Sequence, residues 1–307
     1  MKPIVTLTVN PALDAACIAD EVVPMRKVRT RDERYDAGGG GINVARMIRE
    51  LGGQAVAFYL AGGITGEALG GLIERDGLAA VRVPIAGLTR VSHTVYETAT
   101  GQEFRFTPEG PEVTQAEWRN CIEVLSVVDG DWFVASGSLA RGLPADFYAQ
   151  VGGMMRERGA RVAVDSSGAA LHHALRAGVS LVKPSKRELE NLLGRKAATA
   201  ADEEALAREV VDSGRAEMVA LTLGEKGAVL ATRDRVLRLA SPKVETRSAV
   251  GAGDAFLGAL VWALAIGREL EEAFAYGVAA GAATAMAPST EHGRKADIER
   301  LVAAIRA

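Results

Sequence analysis

Short, apolar, β-rich runs separated by helical patterns constrain this chain more than any other feature. The runs lie at residues 4–9, 56–60, 132–136, 162–164, 181–183 and 218–223, with helical stretches around 42–52, 65–76, 114–127, 144–158, 168–177, 185–193 and 201–213. Strands covered on both faces read as near-continuous apolar runs, so this order predicts an α/β fold with a mostly parallel sheet flanked by helices. Ligands of such sheets gather beyond the carboxyl ends of the strands. Asn10 and Asp14, residues 136–139, residues 165–168 and residues 183–188 follow successive strands and are expected there.

Two segments break the alternation. Residues 14–35 carry too many polar and β-branched residues for a buried helix, and residues 91–106 read as a hairpin turning at Thr100-Gly101. Together they predict a small β-sheet lid over the strand ends, formed by inserted segments at about 14–36 and 90–107; the other reading is an edge hairpin of the main sheet. Exposed sheet edges seek partners, so two lids are expected to pair across a homodimer.

With 307 residues, 48% of them hydrophobic, and no break in composition, one main domain spanning 1–307 is expected. The formal net charge of -3 argues against a nucleic-acid partner, which calls for a basic surplus. Cys17 and Cys121 have no metal-like spacing and suggest buried thiols in a reducing compartment. The opening residues lack an uninterrupted apolar core, and no apolar run approaches the roughly 20 residues of a membrane span. A cytoplasmic protein with no membrane partner is expected.

Two glycine clusters carry the chemistry. Ala249-Val250-Gly251-Ala252-Gly253-Asp254 runs straight into the apolar stretch 255–266, and four glycines at 38–41 lead into Ile42-Asn43-Val44-Ala45. A helix mouth offers unpartnered N–H groups and a positive dipole end, which suits a phosphoryl group, and glycine lets the backbone approach it. A carboxylate on the same turn is placed to accept a proton from an attacking hydroxyl. Asp at a helix start is also an ordinary cap, but a second backbone-exposing segment points to two ligand contacts and a phosphotransferase. An ordinary carboxylate pKa near 4 would keep Asp254 ionised without special tuning. No GxxxxGK[ST] loop is present, so the P-loop mechanism is excluded.

The segments GGGGINVAR at 38–46, SGSL at 136–139, VDSSG at 164–168, TLGEKG at 222–227 and VGAGD at 250–254 resemble, in order and over essentially the whole chain, the pfkB family of ribokinase-like carbohydrate kinases. The likeness is greatest to its branch of minor-type ATP-dependent 6-phosphofructokinases. The resemblance implies a Rossmann-like core with a β-sheet lid and transfer of a phosphoryl group from ATP, with Mg2+, to a sugar phosphate. It makes Asp254 the catalytic base and Gly251, Ala252 and Gly253 the anion hole. Asp14, Gly38, Gly39, Asn43 and Ser138 match sugar-side positions, and Arg90 matches the arginine that binds the substrate's own phosphate. Lys27, Arg29 and Arg105 lie in lid segments that can face the same anion.

Lys183, Thr222, Gly224 and Gly227 resemble the family's ATP-binding residues. Its metal-associated Asn-x-x-Glu motif stands here as Ser185-Lys186-Arg187-Glu188, which keeps Glu188 for the metal and puts a hydroxyl in place of the amide. The stretch 287–291 departs from the pattern that forms a monovalent-cation site in relatives, leaving Ser248 and Val250 as candidate oxygen donors. Glycine at 40, where 1-phosphofructokinases and tagatose-6-phosphate kinases commonly have lysine, implies fructose 6-phosphate as substrate, with those two activities as alternatives. A catalytically silent sugar-phosphate-binding regulator is the reading from another class, and Ser185 is the feature in its favour.

Overall fold

The computed structural model describes residues 2–288 and 291–306. In chain order its elements are β1 (Ile4–Thr8), β2 (Ala12–Ala19), β3 (Thr30–Gly38), α1 (Gly40–Glu50), β4 (Ala55–Ala61), α2 (Gly63–Arg75), β5 (Ala80–Pro84), β6 (Arg90–Glu97) and β7 (Glu103–Phe106). Then come α3 (Gln115–Ser126), β8 (Trp132–Ser136), α4 (Phe147–Glu157), β9 (Arg161–Asp165), α5 (Gly168–Ala177), β10 (Val179–Val182), α6 (Lys186–Leu193) and α7 (Ala200–Asp212). The chain finishes with β11 (Ala216–Thr222), β12 (Ala228–Thr232), β13 (Val236–Leu239), α8 (Ala252–Ala265), α9 (Leu270–Met286) and α10 (Lys295–Arg306).

The main sheet has the order β13-β12-β11-β10-β9-β8-β1-β4-β5. Its strands from β11 to β5 are parallel, and β12 and β13 close one edge antiparallel. Every residue of β1 and β8 is buried, as expected of strands sandwiched between helices. One face packs on α3 to α7 through residues such as Leu125, Phe147, Val151, Leu171 and Leu206; the other packs on α1, α8, α9 and α10 through Val44, Ile48, Leu260, Phe274 and Leu301. The helix α8 is apolar nearly all round because α1, α9 and the sheet enclose it.

The segments that broke the alternation form a second sheet with the order β3-β2-β6-β7. β2 pairs antiparallel with β3, which sets Asp14 opposite Asp36, and parallel with β6, which sets Ala12 opposite Arg90. The 91–106 hairpin therefore pairs with β2 and not with the main sheet, so the edge-hairpin reading falls.

α1 sits so close to β1 that residue 41 has no room for a side chain. A Cβ there would lie 2.6 Å from the Leu7 carbonyl oxygen and 2.7 Å from Thr8 Oγ1, the acceptor of the Ile42 N–H. Backbone on both sides cannot yield cheaply. We expect Gly41→Ala to cost about 1–3 kcal/mol of stability through overpacking. Gly71→Ala, in the interior of α2 with nothing within 4 Å, should gain up to about 1 kcal/mol from helix propensity. Thermal unfolding of the two variants checks this, and equal shifts would refute the packing argument.

Candidate active site

The carboxyl ends of β1, β8, β9 and β10 meet the N-termini of α1 and α8. Gly251 is the N-cap of α8 with φ 74°, a left-handed conformation that glycine adopts without penalty, and it turns the chain so that the first helical turn faces the strand ends. Ala252, Gly253 and Asp254 make up that turn, where helix geometry leaves the N–H groups of Gly253 and Asp254 without intrahelical acceptors. Asp254 Oδ2 accepts a hydrogen bond from Asn43 Nδ2 at 2.9 Å, and Oδ1 accepts a longer one from Ser136 Oγ at 3.5 Å. The two glycine clusters, far apart in sequence, thus share one cleft.

Beneath the helix mouth Lys183 Nζ pairs with Asp165 Oδ2 at 3.1 Å. A Cβ on Gly253 would come 3.3 Å from that ammonium, so the glycine brings the free amides close to a buried cation. Burial alone would lower the lysine's proton affinity, but Asp165 reverses the balance and Lys183 remains protonated. Asp165, Asp254 and Glu188 all act on this lysine. Three carboxylates against one ammonium leave a surplus of negative charge around the position where phosphates would lie.

Enclosure overturns the expectation that Asp254 titrates as an ordinary carboxylate. Its residue keeps some surface in the cleft, but the carboxyl group is enclosed by protein. Burial, reinforced by the neighbouring Asp165 charge, raises its pKa to about 7, and the Asn43 hydrogen bond and Lys183 offset this only partly.

Among the residues expected to meet the sugar, Asp14 lies against Gly38, where a Cβ would stand 2.0 Å from Asp14 Oδ2. Burial raises the Asp14 pKa to about 6 against the opposing fields of Arg90 and Arg105, which places both guanidinium groups nearby. Arg90 donates to the backbone carbonyls of Asn10 at 2.8 Å, Pro108 at 2.9 Å and Pro11 at 3.4 Å, tying together the roots of the second sheet. Ser138 Oγ accepts from Asn10 Nδ2 at 3.3 Å. Gly39 is the N-cap of α1 beside this group. Lys27 and Arg29 are not brought here by their own chain: both are exposed near the turn between β2 and β3, at the end of the hairpin opposite the paired Ala12 and Gly38.

Among the residues expected to meet the nucleotide, Ser185 and Glu188 occupy each other. The Ser185 hydroxyl accepts the Glu188 N–H, and Glu188 Oε2 accepts the Ser185 N–H at 2.8 Å, a capping box at the start of α6. They border a wide groove between α5 and α6, together with Ser167, His172 and Arg187. The Thr222 hydroxyl donates to the Pro184 carbonyl, and Gly224 opens the short turn before β12. Gly227 has a packing reason of its own, since a Cβ there would stand 2.0 Å from the Leu239 carbonyl oxygen of β13. Ser248 Oγ accepts the Val250 N–H at 3.3 Å, while Ser289 and Thr290 of the expected cation-site departure lie outside the described residues.

Sequence reasoning placed Ser136 and Asp165 at the ligand end of the strands without giving either a role, and it did not single out Arg46. Ser136 and Asp165 are polar residues at the last positions of buried strands, a signal that was present. Arg46 is a charge inside an apolar helical pattern, one turn after Asn43.

A parallel α/β sheet carrying a carboxylate, free amides and a lysine at one helix mouth, with a second sheet rooted beside them, defines a small-molecule phosphotransferase. The profile of the pfkB family carbohydrate kinases matches residues 9–296, and the chain belongs to that family; it is an ATP-dependent carbohydrate kinase. It is 42% identical over 302 residues to ATP-dependent 6-phosphofructokinase isozyme 2 of Mycobacterium tuberculosis, covering 97% of this chain and 89% of that protein. It is 37% identical to the isozyme of the same name from Escherichia coli (strain K12), over 99% of both chains. The solved structure of Escherichia coli phosphofructokinase-2 in complex with substrates and products matches with a TM-score of 0.96 at 36% identity, covering 99% of this chain and all of the other.

The raised pKa of Asp254 has a consequence for stability. The folded carboxyl binds a proton below about 7, whereas the unfolded one does so only near 3.8. The enclosed, ionised form therefore weakens the fold most above pH 7, and this cost fades as pH falls from about 7 toward 3.8. We expect Asp254→Asn to raise the unfolding temperature at pH 8, with the gain shrinking steadily toward pH 5. No gain at pH 8 would mean that the carboxylate is well solvated.

Proposed function

We propose that this kinase phosphorylates fructose 6-phosphate at its C1 hydroxyl, giving fructose 1,6-bisphosphate and ADP. The observation that carries the reading is the 2.9 Å hydrogen bond from Asn43 to Asp254, which puts a proton acceptor from one glycine cluster against a sugar-side amide from the other. The C1 oxygen attacks the γ-phosphorus, its proton passes to Asp254, and the bond from phosphorus to the β-γ bridging oxygen breaks. The free amides of the α8 mouth and the Lys183 ammonium face the charge that develops on the transferring group. Arg90, with N–H groups left over from its three carbonyl bonds, and Arg105 receive the 6-phosphate, while Asp14 and Ser138 take sugar hydroxyls.

Gly40 supports the substrate assignment. A Cβ there would stand 2.2 Å from Ser136 Oγ and 2.9 Å from the Ser136 carbonyl carbon, so a lysine at 40 would require this corner to shift. The alternatives remain 1-phosphofructokinase and tagatose-6-phosphate kinase.

The donor set fits Mg2+ that arrives with the nucleotide. Among the described residues no group of three or more His, Cys, Asp or Glu side chains can hold a metal. A metal here must share its coordination with phosphates and water, as Mg2+ commonly does, and Glu188 is the acid placed to orient that shell. When bound, the cation screens the negative charge of the phosphates and balances the surplus of carboxylates.

The exposed Met25, Tyr35, Tyr96 and Phe106 all belong to the second sheet or its connections and support pairing of two such lids in a homodimer. Lys27 then reaches a sugar phosphate only from the other copy. The free Cys17 and Cys121 fit a reducing, cytoplasmic setting.

Purified protein with MgATP, assayed for ADP against fructose 6-phosphate, fructose 1-phosphate, tagatose 6-phosphate and ribose, tests the reading. Turnover should be fastest with fructose 6-phosphate, and binding without ADP production would favour the silent regulator suggested by the committed Ser185 hydroxyl. Asp254→Asn should lower kcat by roughly 10²–10⁴-fold with little change in nucleotide affinity. In the wild type, kcat/KM should fall about tenfold per unit as pH drops below about 7, and more steeply below about 6 as Asp14 also takes up a proton. A flat profile from pH 8 to 6 would remove Asp254 from the role of base. Arg90→Lys should raise the KM for the sugar phosphate more than it lowers kcat; an unchanged KM would move the phosphate site elsewhere.

A further inference from the structure

Arg46 is only 7% exposed, although a guanidinium is ionised at any physiological pH. It lies one turn beyond Asn43 on α1, and its guanidinium reaches three elements. One nitrogen, Nη1, donates to Asn43 Oδ1 at 2.8 Å. The other, Nη2, donates to the Ala37 carbonyl of β3 at 2.9 Å and to Asp76 Oδ2 at the end of α2 at 3.0 Å. His292 also lies within the arginine's field.

We propose that Arg46 is a positioning residue for phosphoryl transfer: it fixes which way the Asn43 amide faces, and through that amide it aims the Asp254 carboxylate. This rests on the reading of Asp254 as the base. A guanidinium has donors only, so the Asn43 atom that faces Arg46 must be the oxygen. The amide nitrogen is then committed to the opposite side, where Asp254 Oδ2 accepts from it at 2.9 Å. Reversing the amide would set its oxygen against the carboxylate and its N–H groups against the guanidinium, a double repulsion. With Oδ2 held in this way, Oδ1 remains on the side of Ser136 to meet the attacking hydroxyl.

The same fork ties this geometry to the second sheet. The Ala37 carbonyl belongs to the end of β3, next to Gly38, which lies against Asp14. Arg46 therefore holds the root of β3, the sugar-side glycine and the base in one register. A lysine could balance Asp76 but would lack the rigid fork that spans Asn43 and Ala37.

A double-mutant cycle tests the proposal, using single-turnover ADP formation so that slow variants stay measurable. Arg46→Gln should lower the rate about 10- to 100-fold in the native background, with the KM for ATP unchanged within about twofold. In an Asn43→Ala background the same change should alter the rate less than about threefold, because the amide it orients is gone. A loss of equal size in both backgrounds would show that Arg46 supports the fold generally and would overturn the proposal, as would a native-like rate for Arg46→Gln. Should Arg46→Gln not fold, Arg46→Lys keeps a cation beside Asp76 and runs through the same cycle with the same criteria. Asp254→Asn is measured alongside. If it stays active, the reading of the base fails; if it is inactive while the cycle is additive, only the role of Arg46 fails.

Discussion

The contact between Asn43 and Asp254 depends on how closely α1 and α8 cross. At Gly258 a Cβ would meet the Val44 carbonyl oxygen at 2.9 Å and Met47 Cβ at 3.0 Å, so the two helices can lie together only because that position has no side chain. Their N-termini then open side by side above the strand ends. Two positive dipole ends and their free amides face one volume, and the acid and amide of the site fall within hydrogen-bond reach. Gly41 against β1 and Gly258 against α1 are thus the spacing elements on which the chemistry rests.

The electrostatics of the cleft are deliberately unbalanced. Asp165 serves Lys183 directly and adds to the effect of burial in raising the proton affinity of Asp254, so one carboxylate both holds the cation and tunes the proposed base. A base near neutrality accepts a proton more readily than an ordinary carboxylate, at the cost of a strained charge distribution before nucleotide and metal arrive. On the proposed role of Asp254, stability and activity pull in opposite directions at this one carboxyl group.

Much of this was legible in the sequence because it depends on local pattern. The apolar runs marked the parallel strands, Thr100-Gly101 marked the hairpin turn, and the glycine clusters marked both helix mouths. What was not legible depends on which distant residues meet. Asn43 was readable as a sugar-side residue but not as the partner of Asp254, 211 positions away. Arg46 carried no role until α2 and β3 enclosed it, and Gly227 looked like a nucleotide loop glycine although β13 crosses too close for any side chain there. Lys27 sits in a lid segment, as the sequence suggested, but the length of the β2–β3 hairpin carries it away from its own cleft. The pKa of Asp254 could not be read at all, since it reflects enclosure and a neighbour on another strand.

Arg90 spans the places where the chain leaves the main sheet and returns to it, gripping the carbonyls of Asn10, Pro11 and Pro108. A side chain moored in this way has lost its torsional freedom before any ligand comes, so little more is lost when an anion docks. The mooring also means that the anion proposed to bind here would complete a junction between two sheets instead of merely filling a hole. On the proposed assignment of the 6-phosphate to Arg90, sugars lacking that anion would leave the junction incomplete, and discrimination against them would come from architecture as well as from charge.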